Sequence, residues 1–214
     1  MDNTFPNSIE LGEFDLDSFL NNDSPEEVLP IRINNNSNRQ IIIAVDASNS
    51  MQGYKVGAVN DTVNNILSKL NSIGRNQDGA ISVAVIGFSS RLFRWTDGFV
   101  PVHDFKFSYV ESTDGLTDIN ALFEELTRLA VEGMNAEAKK IVVLFSDGLP
   151  TEDYSVSISK WKQTRFYNDV EKISVSFDDD LLDPQSREFL EEFADHGQVL
   201  SIKDKEELLS AILN

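Results

Sequence analysis

The feature that most constrains this chain is the run Ile41-Ile42-Ile43-Ala44-Val45, which ends in Asp46 and continues as Ala47-Ser48-Asn49-Ser50-Met51. An unbroken β-branched run with no polar alternation specifies a strand covered on both faces, as inside a parallel sheet. Asp46 marks the point where that strand leaves the core. Ser48 and Ser50 come next at alternate positions, so a curled loop turns one carboxylate and two hydroxyls toward a single point. Such an all-oxygen set suits magnesium or manganese better than zinc or copper. The same stretch also reads as an ordinary strand exit with capping serines. Only the rest of the chain decides between the two.

Downstream, apolar strands alternate with helical periodicity. Val56, Val59, Val63, Ile66, Leu67 and Leu70 recur at helical spacing and predict a helix over 55–72, with Gly74 as a stop signal. Residues 80–88 read as a second strand. Segments 91–95 and 99–102, joined by Thr96-Asp97-Gly98, predict a hairpin whose Pro101 suits a sheet edge. Leu122, Phe123, Leu126, Leu129 and Ala130 share one face of a helix expected over 118–132. From Lys140, the apolar run Ile141 to Phe145 predicts another fully buried strand, and it ends in Ser146-Asp147-Gly148. A short helix over 156–162, a strand over 172–177, a helix over 184–194, a strand over 198–202 and a last helix capped by Asp204 complete the pattern. The class is α/β: a doubly wound, mainly parallel open sheet with helices on both faces.

Acidic residues number 36 against 18 basic ones, for a formal charge of -18. That surface repels phosphate backbones and anionic membranes, so neither nucleic acid nor membrane is an expected partner. The chain has no cysteine, which excludes disulfides, thiolate metal sites and a cysteine nucleophile. No basic-then-apolar leader opens the sequence and no apolar run is long enough to span a bilayer, so the expected location is cytoplasmic. Residues 1–39 differ in composition from the rest of the chain: they are rich in Asn, Asp, Ser and Glu and read as an acidic tail and linker ahead of a domain over 40–214. Phe14, Leu16, Phe19 and Leu20 form a small apolar cluster within that tail.

In an open α/β sheet, ligands bind beyond the strands' carboxyl ends, where strand order reverses. Asp46 and Asp147 both stand at such ends, and Thr117 lies in a loop just before a helix. Each has a plainer role open to it: Thr117 as a helix cap, Asp147-Gly148 as a turn. Thr113 is a rival to Thr117, which is preferred because it directly precedes the helix.

With these three parts in this order, the sequence resembles a von Willebrand factor type A (VWA) domain with a metal-ion-dependent adhesion site (MIDAS). The family pattern is Asp-x-Ser-x-Ser, then a threonine, then an aspartate after a later strand. Asp46, Ser48 and Ser50 match the first part, Thr117 in Gly-Leu-Thr-Asp the second, and Asp147 in Ser-Asp-Gly the third. Asn49 departs from the glycine common at its position; asparagine tolerates the left-handed region better than most residues, so the loop is expected to keep its shape. The segment Gln198 to Asp204 and the helix after it also resemble the bacterial TerY-like branch, associated with tellurite resistance and stress.

The resemblance implies a binding module in which Asp46, Ser48, Ser50 and Thr117 hold Mg2+ (or Mn2+) directly, and Asp147 does so directly or through water. A remaining position would accept an Asp or Glu carboxylate from a protein partner. The alternative is an enzyme using the same ion for phosphoryl transfer or hydrolysis. Against it, no second acid follows Asp46 at the position of a phosphatase with an aspartate nucleophile, and no P-loop or nucleophile elbow occurs. His103 and His196 lie in separate segments without a recognisable partner. Mutual repulsion of Asp46 and Asp147 predicts a fold that the bound ion stabilises. The tail's own carboxylates, Glu13, Asp15 and Asp17 among them, are candidates for the open position.

Overall fold

The protein is described by a computed structural model over residues 38–76 and 80–214. The expected tail and its apolar cluster at Phe14 to Leu20 therefore lie outside the described residues. Strand β1 (Arg39–Asp46) is buried along its whole length, as its run of Ile and Val requires. Helix α1 (Tyr54–Asn76) comes next, then β2 (Ile81–Phe88), β3 (Leu92–Arg94) and β4 (Val100–Pro101). Helix α2 (Ile119–Gly133) leads to β5 (Lys139–Phe145). Two short helices, α3 (Ser155–Lys162) and α4 (Arg165–Asp169), precede β6 (Val170–Ser176). Helix α5 (Pro184–Phe193), β7 (Val199–Ser201) and α6 (Lys205–Leu213) close the chain.

The sheet order is β3-β2-β1-β5-β6-β7, with β4 also on β2. β1 pairs in parallel with β2 on one side and with β5 on the other. The chain thus winds outward from β1 in one direction and then returns to wind in the other. The reversal falls between β1 and β5, whose carboxyl ends carry Asp46 and, two residues past the strand, Asp147. β1's side chains alternate between two cores. Ile41, Ile43 and Val45 pack with Val59, Val63, Ile66 and Leu70 of α1 and with Leu208 and Ile212 of α6. Ile42 and Ala44 pack with Leu122 and Leu126 of α2, Trp161 of α3 and Leu190 and Phe193 of α5. Each such aliphatic side chain removed from water contributes roughly 1.5–3 kcal/mol, which is why a strand that is apolar on both faces sits at the centre.

Four local expectations are corrected. The segments around Thr96-Asp97-Gly98 do not pair with each other: β3 and β4 each pair antiparallel with β2, side by side along its outer edge. The residue that caps α2 is Asp118, whose carboxylate accepts from Ala121 N at 3.1 Å, so Thr117 is free of that role. Asp204 occupies the N-cap position of α6, but its side chain makes no capping bond. Arg39 belongs to the domain rather than to the tail: it is buried in β1, and its guanidinium donates to the Leu213 carbonyl at the end of α6.

Candidate metal centre

Asp46 ends β1 and is fully buried. Its Oδ1 accepts from the backbone N–H of Ser48 at 2.9 Å, which curls the chain back over the carboxylate. Its Oδ2 accepts from Ser146 Oγ at 2.7 Å. Burial pushes the Asp46 carboxyl up to about 6, and neighbouring Asp147 adds to the rise, while the bonds from Ser48 and Ser146 oppose it. The next turn, Asn49–Met51, is a 3-10 helix anchored by buried Met51, and it brings Ser48 Oγ and Ser50 Oγ to 3.1 Å. Asn49 lies in this right-handed turn. His196 is the only non-glycine described residue with positive φ, so Asn49 keeps the loop's shape without entering the left-handed region.

The loop before α2 is stapled to this turn by main-chain bonds. Thr113 N donates to Ala47 O at 2.7 Å and Asn49 N to Gly115 O at 2.9 Å. Thr113 Oγ1 also donates to Ala47 O and accepts from Gly115 N, so Thr113 serves as a strut within the loop. Thr117 is buried and tied to the third loop: its N–H donates to Thr151 Oγ1 at 3.1 Å, and its carbonyl accepts from Thr151 N at 3.3 Å. Two staples thus pin three loops side by side, carrying the Asp46-Ser48-Ser50 trio, Thr117, and Asp147 with Thr151.

Asp147 comes after Ser146, whose Oγ bridges Asp46 and the Gly148 N–H at 3.0 Å. Gly148 has φ +80, and a Cβ there would lie 2.4 Å from the Ser186 carbonyl, so the turn that aims Asp147 requires glycine. One oxygen of Asp147, Oδ2, accepts from Lys55 Nζ at 3.1 Å. The other, Oδ1, is buried and has no hydrogen-bond partner in the described protein. An unpartnered buried carboxylate oxygen is costly and calls for an explanation.

Sequence patterning alone does not single out Lys55, Ser146 or Asp180. Lys55 Nζ also reaches Asp180 Oδ1 at 2.8 Å and lies 5.5 Å from the centre of the Phe177 ring. Burial pushes the Lys55 ammonium down, but Asp180 and Asp147 outweigh it, and its pKa is raised. One signal was available: a cation in the first turn of a helix opposes the helix dipole, and α1 carries no acid there to offset it. With Lys55 beside Asp147, the simple repulsion of Asp46 and Asp147 is partly offset by the protein itself.

Among the described residues, no group of three or more acids or histidines is placed to hold an ion. What the loops do assemble is two acids with serine and threonine hydroxyls. Hard oxygen donors and an orphaned carboxylate oxygen fit a divalent cation. A doubly wound sheet with an acid–hydroxyl constellation at its switch point defines the class as an α/β domain with its candidate site at the carboxyl edge. The family model of the von Willebrand factor type A domain matches residues 40–212, and the chain belongs to that family.

Solved structures agree on the fold. A von Willebrand factor type A protein from Catenulispora acidiphila superposes with a TM-score of 0.62 at 13% identity, over 83% of this chain and 43% of that one. The pilus adhesin SpaC from Lactobacillus rhamnosus GG gives 0.64 at 14% identity, over 84% and 30%. Proximal thread matrix protein 1 from the mussel byssus, with a zinc-occupied MIDAS motif, gives 0.59 at 18% identity, over 83% and 48%. This chain spans less than half the length of each. No curated protein sequence matches it significantly.

Proposed function

We propose that this domain is a cation-dependent protein-binding module in which Asp46, Ser48, Ser50, Thr117 and Asp147 hold Mg2+ or Mn2+. The observation that carries the reading is the buried, unpartnered Oδ1 of Asp147 beside the Asp46–Ser48–Ser50 turn. VWA domains are generally interaction modules rather than enzymes. The mussel relative's zinc-occupied motif supports a divalent ion as the ligand class. We favour magnesium or manganese over zinc because every donor here is oxygen and no cysteine exists.

The bound cation supplies a Lewis-acidic position for a partner's Asp or Glu carboxylate. The chain's own residues do the rest: Ser146 orients Asp46, Thr151 fixes Thr117, and Gly148 aims Asp147. Exposed apolar side chains adjoin the site in sequence and support a protein partner. Tyr54 is 66% exposed, Leu116 55% and Leu149 38%. A cytoplasmic, TerY-like stress or tellurite-resistance role forms the outer part of the proposal, resting on the Gln198 to Asp204 segment. Among the described residues, no helix is long and apolar enough to cross a membrane.

The test is calorimetric titration of Mg2+ or Mn2+ into the full chain, paired with thermal melts with and without EDTA. A cation at about a hundred times its Kd stabilises a folded state by about 2.7 kcal/mol. Asp46→Ala should remove both the heat and the melting shift. A parent protein indifferent to saturating Mg2+ and Mn2+ would overturn the reading.

A further inference from the structure

We propose that Lys55 is a resident counter-cation of the metal centre. It keeps the ion-free domain folded and weakens its hold on divalent ions. The inference rests on the cation-binding function proposed for this site. The side chain of Lys55 is only 13% exposed, and its ammonium spans two carboxylates on different loops, Asp147 at 3.1 Å and Asp180 at 2.8 Å. The face of Phe177 closes a third side at 5.5 Å, and Tyr54 stands edge-on to that ring. The ammonium is therefore held from three directions and does not trail into solvent.

Its position is otherwise unfavourable. It sits in the first turn of α1, where the helix dipole repels a cation. The two acids, with the Phe177 ring, account for its placement. Each of those acids keeps a second oxygen, Asp147 Oδ1 and Asp180 Oδ2, that is buried and without a hydrogen-bond partner. The carboxylates thus exceed what one ammonium satisfies, and Asp147 lies close enough to Asp46 to act on it electrostatically. A positive charge fixed against Asp147 lowers the negative potential an arriving divalent ion meets. The same charge holds Asp147 and Asp180 together when no ion is present. Lys55 therefore sets a trade: independence from the ion against affinity for it.

Calorimetric titration of MnCl2 into the parent chain, Lys55→Gln and Lys55→Arg tests this, with melts in EDTA and in Mn2+. Lys55→Gln should bind Mn2+ at least about tenfold more tightly, because one like charge leaves the site. It should also melt lower than the parent in EDTA and recover in Mn2+. Lys55→Arg keeps the charge and should stay within about threefold of the parent. Asp180→Asn, which leaves the ammonium to Asp147 alone, should weaken Mn2+ binding. Equal or weaker Mn2+ affinity in Lys55→Gln, or a loss of stability that Mn2+ does not restore, overturns the proposal while a Mn2+-binding parent leaves the metal centre standing. Absence of Mn2+ binding in every chain overturns both.

Discussion

Two buried acids in this domain meet opposite fates. Glu125 of α2 is gripped by two guanidinium forks: Arg94 donates to its two oxygens at 2.8 and 2.6 Å, and Arg128 at 3.0 and 2.7 Å. Burial alone would raise its pKa, but Arg94 and Arg128 outweigh that and hold it at about 2. Asp46 is buried more deeply and receives only hydroxyl and amide donors, and burial pushes it up to about 6. The Glu125 clamp is electrically complete from its own residues. The loops at the carboxyl ends of β1 and β5 are not, and their nearest cation, Lys55, is shared with Asp180. Asp46 has a donor on each oxygen but no cation of its own, and beside it Asp147 Oδ1 has no partner; that contrast with Glu125 is what the proposed external charge would resolve.

The largest effect should come from breaking the completed side. Glu125→Ala removes the acceptor shared by both guanidinium forks, leaving Arg128 to Glu132 and Arg94 to solvent, and should cost on the order of 3 kcal/mol in urea unfolding. It should leave Mn2+ affinity at the distant loops unchanged, and a joint loss would show that the two regions are not independent. Next in size is the acid limb of the stability curve. Glu125 has a folded pKa depressed from 4.5 to about 2, so the clamp's stability is full above pH 4.5 and is lost as pH falls through about 2. Half-exposed Arg94 is screened by solvent, so the loss should be on the order of 2–3 kcal/mol. Glu125→Gln should flatten that part of the parent's curve; identical acid limbs would remove the clamp from the explanation. The smallest effect separates the two threonines. Thr113→Val loses the strut to Ala47 O and should cost about 1 kcal/mol of stability. Thr117→Val should instead reduce Mn2+ affinity, with a smaller stability change. The reverse pattern would exchange their roles.

The central strand and the Asp46, Ser48 and Ser50 trio were legible because their signal is local: an apolar run, then polar atoms at fixed spacing. Asp147 was legible because it repeats that geometry at the end of β5. Thr117 was preferred over Thr113 for its place before a helix, yet Asp118 is the residue that caps it, and what separates the two threonines is a set of bonds to Ala47 and Thr151. The β3–β4 hairpin was misread because Thr96-Asp97-Gly98 is a true turn, with Gly98 at φ +91, while the pairing partner of both segments is β2. Lys55, Ser146 and Asp180 escaped notice for a related reason. Lys55 meets Asp147 across 92 residues and Asp180 across 125, separations that no sequence window joins.

The placement of β1 between β2 and β5 also has a consequence in time. Ile41 sits opposite Val83 on one side and Ile141 on the other. Bringing β5 to β1 closes a loop more than twice as long, which costs on the order of 0.6 kcal/mol more for that doubling. Pairing of β1 with β2 is therefore favoured to come first, and the contact of Ser146 with Asp46 spans 100 residues of intervening chain. A chain emerging from the ribosome presents Asp46 to its surroundings long before Ser146, Asp147 and Thr151 have been synthesised. During that interval the site proposed for a cation is incomplete, and it closes only when β5 docks.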